Sequence, residues 1–175
     1  MNDLPHTDNY FELLQLPVQY AIDKSRLSSA YRELQRVVHP DRFVNASAHE
    51  RCLAQQKATL VNDAYRILRD DLSRAQHLLQ LNQVECQPHT LSDPEFLMAQ
   101  MQLREELEMI AASKDLDQLG ALFSHVQQQQ QACKDRLQAI FSAKDGFQPA
   151  CDEVTKLQFL NKLYEEAESL EERLT

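Results

Sequence analysis

The sequence predicts an all-α protein with two parts, an N-terminal helical hairpin flanked by short helices and a C-terminal three-helix bundle. The 175 residues include only 2 Gly, 6 Pro and no Trp. Long tracts rich in Leu, Ala, Gln, Glu and Arg favour helix, because these side chains lose little rotamer freedom there. Apolar residues recur at helical spacing in both halves, and at 43% of the chain they are numerous enough to form a core.

The first two helices are delimited by proline and by a capping residue. A short helix ends before Pro17, because the residue before a proline is pushed out of helical space. The second helix begins at Asp23, a good N-cap, and stops at Pro40. The residues expected to face inward are Tyr10, Phe11, Leu13 and Leu14 in the first helix, and Leu27, Ala30, Tyr31, Leu34, Val37 and Val38 in the second.

Two further helices complete the N-terminal part, at about 48–68 and about 72–81. The longer one places Leu53, Leu60, Val61, Ala64, Ile67 and Leu68 inward. Joined to the second helix by a tight polar loop, it forms an antiparallel hairpin whose open apolar side the short helices can cover.

Residues 82–92 lack helical periodicity and contain Pro88, so we predict a linker there, between a first domain at 1–81 and a second at 93–175. Helix restarts at Asp93 and Pro94, as N-cap and first helical residue. A long helix follows, with the heptad-like seam Leu116, Leu119, Phe123, Val126, Gln130, Cys133, Leu137 and Ile140. A last helix, about 149–174, carries Val154, Leu157, Leu160, Tyr164, Ala167 and Leu174 inward.

The net charge of −9 lies entirely in the second half of the chain. Residues 1–80 hold ten Lys and Arg against ten Asp and Glu, and residues 81–175 hold eight against seventeen. An acidic half repels phosphate backbones, so binding of nucleic acid is disfavoured. No apolar run approaches the roughly 18 to 20 residues of a membrane span. The N-terminus has neither a secretory nor a transit-peptide pattern, so we expect a soluble, cytoplasmic protein with no membrane partner.

The four cysteines, Cys52, Cys86, Cys133 and Cys151, form no CxxC pair and no dense framework. We therefore expect reduced thiols. His49 and Cys52, with Cys86 and His89, give only a weak zinc pattern, because the two pairs would have to converge and half of the spacing is atypical. We expect no metal and no cofactor.

The segment around His39, Pro40 and Asp41 carries the most specific signal. It follows a helix with Arg32 and Arg36 one turn apart, and lies between two long helices. Together with a Tyr-Phe-x-Leu-Leu-x-Leu start and an Asn-Asp-Ala-Tyr-x-x-Leu sequence at 62–68, it resembles the J domain over residues 8 to about 80. The alternative is that these three residues only form a turn, since Pro fixes φ and Asp bonds its own backbone.

The resemblance implies that the loop docks on an ATP-bound DnaK-family chaperone and favours the conformation that hydrolyses ATP. Its chemistry fits docking, because His39 can donate and accept, Asp41 supplies a carboxylate and Pro40 lowers the entropy cost of binding. No nucleophile is paired with the His and no Gly-rich loop could hold a nucleotide, so we expect no enzyme activity. The cations expected to flank the loop for an acidic chaperone surface are Lys24, Arg26, Arg32, Arg36 and Arg42, which could instead be a solvated face.

The helix after the linker carries two apolar stripes. One consists of Phe96, Ala99, Leu103, Leu107 and Ile110 and is expected to face the bundle. The opposite stripe consists of Leu97, Met98, Met101, Gln102, Glu105 and Met109. Methionine on an outward face suits an adaptable partner surface, although the stripe could also pack on the first domain or in a homodimer.

The sequence from Phe96 to Glu108, with the Lys-Leu-x-Phe-Leu-x-Lys-Leu segment at 156–163, resembles the HscB family of J-proteins over nearly the whole chain. The resemblance implies a role in iron-sulfur cluster assembly, an HscA-type chaperone partner and an IscU-type scaffold partner. The scaffold-binding positions it implies are Leu97, Met98, Met101, Gln102, Glu105, Met109 and Phe159. This chain has Gln102 and Met109 where relatives carry acidic residues, and it lacks the Cys-rich N-terminal extension of mitochondrial relatives, which favours a bacterial-type protein.

Three other functions remain as alternatives. A general J-protein would usually carry a Gly/Phe-rich linker and a β-rich client-binding domain, and this sequence has neither. A helical adaptor with an incidental His-Pro-Asp sequence would have no effect on any ATPase. A cluster carrier would need convergent thiolates, which these cysteine spacings do not predict.

Overall fold

The computed structural model of the chain describes residues 8–39, 43, 46–86, 94–143 and 146–174. Helices are the only regular elements in these ranges, so the all-α prediction is confirmed. The chain forms two compact units, Met1–Asn82 and Gln83–Thr175. None of the helices in the described ranges has the length and apolar character that crossing a membrane requires.

The first unit contains α1 (Tyr10–Leu13), α2 (Lys24–Val38), α3 (Ala48–Arg69) and α4 (Asp71–Leu81). Asp23 caps α2 as predicted, accepting hydrogen bonds from the backbone amides of Ser25 and Arg26. These bonds and one from the Ser25 hydroxyl lower the pKa of the Asp23 carboxyl. Ser47 and Glu50 form a capping box at the start of α3, which pairs two amides that the helix itself leaves unsatisfied.

Helices α2 and α3 form the predicted antiparallel hairpin. Tyr31 stacks on Tyr65 with ring centroids 4.1 Å apart, and its hydroxyl donates to the Asn62 side chain at 3.0 Å. The Gln35 amide donates to both the Tyr31 hydroxyl and Asn62. The hairpin is thus joined by a polar network beside its apolar core.

A buried arginine joins α4 to the segment after α1. Arg74 is 3% exposed, and donates to the carbonyl oxygens of Tyr20 and Leu68, both at 2.7 Å. It also pairs with Asp71 and lies over the Tyr20 ring. Buried charges are stable only when paired and hydrogen-bonded, and Arg74 meets both conditions.

The second unit is the predicted three-helix bundle, with α5 (Pro94–Ser113), α6 (Leu116–Ala143) and α7 (Gln148–Leu174). Side chains of α6 and α7 meet in antiparallel register, Gln130 with Asn161 and Arg136 with Glu153. Helix α5 runs parallel to α7, because Phe96 near its start contacts Phe159, and the groove between the two helices continues to Ala111 and Arg173. The predicted N-cap Asp93 lies outside the described residues.

The expectation that all four cysteines are reduced thiols is wrong for two of them. Cys86 and Cys151 form a disulfide within the second unit, with Cα atoms 5.4 Å apart, whereas Cys52 and Cys133 are free. The residues are 65 positions apart, so cysteine spacing could not show that tertiary packing brings them together. Residues 87–92 of the predicted linker, including His89 of the weak zinc pattern, lie outside the described ranges.

Three residues that periodicity placed in the core are exposed: Val37 of α2, Leu53 of α3 and Leu116 of α6. At 100° per residue, Val37 lies about 90° and Leu53 about 65° from the centre of the residues that are buried on their helices. Leu116 is the first residue of α6, at the end of the bundle. The core positions Leu122, Leu163 and Leu170 are fully or nearly fully buried instead, although we did not select them.

Candidate functional site

The first candidate site begins where α2 ends. Val38 is buried and closes the helix, and His39 follows as an exposed C-cap residue with extended backbone. Because Val38 is held in the core, the last turn of α2 is fixed in position. His39, the next residue, is exposed to solvent. Pro40, Asp41 and Arg42 lie outside the described residues, so their predicted roles remain predictions.

The four described cations of the predicted flank are all exposed and all lie on α2. Arg32 and Arg36 are one turn apart on one face, and the Arg32 Nε donates to the Ser28 carbonyl oxygen at 3.2 Å. Arg26 points elsewhere, because its Nη2 lies 3.4 Å from the Gln15 carbonyl oxygen. Lys24 is the first residue of the helix. The helix geometry thus groups Arg32 and Arg36 but separates Arg26 from them.

The polar network of Tyr31, Gln35 and Asn62 lies on the side of α2 that meets α3, about 100° around the helix from Arg32 and Arg36. It lies one to two turns before His39 and bonds α2 to α3 through side chains. Periodicity predicts Tyr31 only as an inward-facing residue, since a sequence does not show which polar groups meet across two helices.

The second candidate site is the outward stripe of α5. Met98, Met101 and Met109 are 63%, 63% and 64% exposed, and Leu97 is also exposed. Gln102 and Glu105 are exposed between them. On the opposite face, Leu103 and Ile110 are buried in the bundle. The stripe is thus an unpacked apolar surface within the second unit, and its methionines can adapt to a partner.

Phe159, the remaining predicted scaffold-binding residue, lies outside the stripe, because it is on α7 and is half-buried. Its ring meets Phe96 edge-on at 5.9 Å, and the Arg104 guanidinium lies over it at 5.6 Å. Lys156 lies over the Phe96 ring at 5.3 Å. Aromatic and cationic contacts therefore fix Phe159 beside the start of α5.

Over the described ranges, no group of three or more His, Cys, Asp or Glu side chains is placed to hold a metal ion. The first unit presents exposed cations and His39 at the end of α2, and the second presents an apolar stripe on α5. Features of both kinds suit recognition of protein surfaces.

Two family models match the chain, one for each unit. The DnaJ domain matches residues 9–77, and the HSCB C-terminal oligomerisation domain matches residues 92–168. The co-chaperone protein HscB homolog of Vibrio atlanticus (strain LGP32) is 45% identical over 170 residues, which cover 95% of this chain and 98% of that protein.

Solved structures agree with these matches. The chaperone HscB from Vibrio cholerae superposes with a TM-score of 0.86 at 42% identity, covering 95% of this chain and 99% of that one. The human co-chaperone protein HscB gives a TM-score of 0.85 at 30% identity, covering 94% and 82%. The relatives are named as co-chaperones and not as enzymes. The chain therefore belongs to the HscB family of J-domain co-chaperones.

Proposed function

We propose that this protein stimulates the ATPase of an HscA-type chaperone of the DnaK family through His39, Pro40 and Asp41, and that it delivers an IscU-type iron-sulfur scaffold through its second unit. The observation that carries the proposal is the exposed Met-rich stripe of α5 in a chain of this family. The protein would itself hydrolyse nothing, and it would need no cofactor. As in the bacterial relatives it resembles, we place it in the cytoplasm.

The chaperone contact is supported by the end of α2. His39 is exposed, and Arg36 and Arg32 lie about one and two turns before it. Two cations on one face would favour an acidic partner surface and speed the encounter. To stimulate hydrolysis, the loop must bind the conformation that hydrolyses ATP more tightly than the other one, because a ligand shifts an equilibrium only by its difference in affinity.

The scaffold contact is supported by the contrast between the two faces of α5. The inner face packs in the bundle through Leu103 and Ile110, whereas the methionines of the outer face are mostly exposed and contribute little to the packing of this unit. A partner that covers them gains apolar burial at about 25 cal/mol per Å². Phe159, already held by Phe96 and Arg104, would add a rigid aromatic contact at low entropy cost.

Two sites on one chain would also explain delivery. A scaffold bound to the second unit is held close to the chaperone bound to the first, which converts its encounter with the chaperone into an intramolecular one. Scaffold transfer is then enhanced without any new contact between scaffold and loop.

The test is steady-state ATP hydrolysis by an HscA-type chaperone, with and without an IscU-type scaffold, alongside calorimetric titration of the scaffold. His39→Gln should abolish stimulation and leave scaffold affinity unchanged. Met98→Ala with Met101→Ala should keep stimulation by the protein alone but weaken scaffold binding about tenfold or more, the usual cost of truncating central apolar contacts.

Leu116→Ala is the matched control, because Leu116 is an exposed leucine of the same unit on another helix. It should leave both measurements unchanged. If one folded variant lost both activities, the two-site proposal would be wrong. Stimulation that depends on His39 but is indifferent to the scaffold would indicate a J-protein for another client.

A further inference from the structure

The Cys86–Cys151 disulfide has two unequal ends. Cys86 is exposed in the segment before α5, whereas Cys151 is 6% exposed in the first turn of α7. A thiolate must approach the sulfur that it attacks. Of the two bonded residues, Cys86 is therefore the one that is open to solvent.

We propose that Cys86–Cys151 is a thiol–disulfide exchange site, which a dithiol reductant opens by attack on the Cys86 sulfur. In the first step the reductant thiolate bonds to Cys86, the bond between the two cysteines breaks, and Cys151 leaves as a thiolate that takes a proton from water. In the second step the other thiol of the reductant, as thiolate, attacks the mixed disulfide. Cys86 is released as a thiolate and protonated, so that the protein gains two thiols and the reductant becomes a disulfide.

The surroundings of Cys151 suit a leaving group. It lies in the first turn of α7, where backbone amides without helical partners stabilise a thiolate. Of the two carboxylates that follow it, Asp152 is exposed to water, and Glu153 is paired with the Arg136 Nε at 2.8 Å. Repulsion of the departing thiolate is therefore reduced by solvent in one case and by the guanidinium in the other.

The other two cysteines are placed outside this exchange. Cys133 is 1% exposed, and its sulfur accepts a hydrogen bond from Arg136. Burial and the Glu153 carboxylate raise the pKa of the Cys133 thiol to about 11, so that it stays protonated near neutral pH. Cys52 lies in the first unit. Within the second unit, the disulfide thus opens to an external dithiol and not to the buried Cys133 thiol.

Opening the disulfide would release the first turns of α7. Residues Gln83–Cys86 lose their covalent link to that helix, and the loop that contains α5 and α6 is no longer closed. Hydrogen exchange should therefore become faster at amides 148–157 of α7. Amides of α2 and α3 in the first unit should exchange at unchanged rates, which provides an internal control.

The experiment uses the full chain in its oxidised form and a thioredoxin-type protein whose second cysteine is replaced by Ser, so that the mixed disulfide accumulates. Peptide mapping by mass spectrometry should find the adduct on Cys86. Cys86→Ser and Cys151→Ser should give no adduct, whereas Cys133→Ser and Cys52→Ser should react like wild type. In parallel, dithiothreitol applied to the native protein should speed exchange at 148–157. Alkylation after removal of the reductant and unfolding in urea should then find four thiols, against two in the untreated protein.

Three results would overturn the proposal. The first is an adduct on Cys151. The second is a disulfide that resists dithiothreitol in the native protein and yields to it only after unfolding in urea, which identifies a purely structural bond. The third is a protein alkylated at cell lysis that shows four thiols and forms no disulfide with oxidised dithiothreitol.

Discussion

Buried polar side chains, and not only apolar ones, stabilise the first unit. Arg74 connects three parts of it, through the carbonyl oxygens of Tyr20 and Leu68 and the carboxylate of Asp71. Each of these groups would otherwise be left in a poorly hydrated site. Arginine suits the position because its planar group donates in several fixed directions at once, which a lysine cannot do.

Arg74→Ala should therefore lower the free energy of unfolding of the first unit by about 3 kcal/mol, since two carbonyl oxygens lose a charged donor. Arg66→Ala is the control, because Arg66 makes an i,i+3 pair with Asp63 at the surface and such pairs contribute at most about 1 kcal/mol. Urea unfolding followed by tyrosine fluorescence measures both, as four of the five tyrosines lie in this unit. Equal losses in the two variants would contradict this role of Arg74.

His77 is a second buried polar group, on α4. Its Nε2 accepts a hydrogen bond from the Tyr10 backbone amide at 3.2 Å, and its ring stacks on Tyr10 and Phe11. Burial lowers the pKa of His77, partly offset by a hydrogen bond with Gln80. The structure thus requires the neutral imidazole, whose Nε2 has a free lone pair.

The first unit should consequently lose stability in acid. The folded-state pKa of His77 lies below the unfolded value of about 6.5, so the unfolded chain binds the proton more readily. The contribution is fully present above that value and is lost as the pH falls through it towards the folded pKa. Urea midpoints at pH 7.5, 6.5 and 5.5 should fall for wild type, and the fall should be smaller for His77→Gln. His125→Gln, on exposed α6 surface, should follow wild type.

At the scale of the element, α5 is apolar on two faces, but only one face contributes to folding. Ile110 is completely buried, whereas Met98 and Met101 are mostly exposed. An amphipathic helix ordinarily has a polar outer face. The departure from that rule on α5 is what led us to propose a binding surface.

Substitutions on the inner face of α5 should therefore destabilise the second unit much more than substitutions on the outer face. Ile110→Ala should lower the free energy of unfolding of the second unit by about 3 kcal/mol, the usual cost of a buried cavity. Met98→Ala with Met101→Ala should change it by less than about 0.5 kcal/mol, the range of surface substitutions. Thermal unfolding followed by circular dichroism compares them. A large loss from the methionine pair would mean that the stripe packs in the fold.

Helix positions were predicted more reliably than the burial of individual residues. The predicted starts at Asp23 and Pro94 match α2 and α5, because caps and prolines act locally. Leu53 and Leu116 were placed inward but are exposed. Periodicity defines an apolar sector, but the neighbouring helix determines how much of that sector is covered.

At the scale of the whole molecule, the second unit is closed by a covalent bond. The Cys86–Cys151 disulfide spans 65 residues and encloses α5 and α6. A cross-link of this length removes much of the freedom of the unfolded chain, by an amount that corresponds to roughly 4 kcal/mol. A bundle of three helices is thereby held at the end where α7 begins.

Cys151→Ser should accordingly lower the free energy of unfolding of the second unit by a few kcal/mol, up to about 4. Cys133→Ser is the control, because it replaces a buried cysteine of the same unit and leaves the disulfide intact. The measurement is urea unfolding under oxidising conditions, repeated with dithiothreitol. Wild type should approach the Cys151→Ser variant only when it is reduced, and a difference that persisted after reduction would contradict the cross-link as its cause.

The sequence by itself determined the all-α class, the order of the helices, the His39-Pro40-Asp41 motif and the position of the stripe on α5. All of these depend on residues close together in the chain, through caps, prolines, periodicity and short motifs. Only the tertiary structure decided the disulfide, the donors and acceptors of Arg74, the neutral state of His77 and the exposure of the methionines. The contacts responsible join residues 54, 65 and 67 positions apart. Such contacts form because helices pack side by side, and packing geometry is not written in local patterns of the sequence.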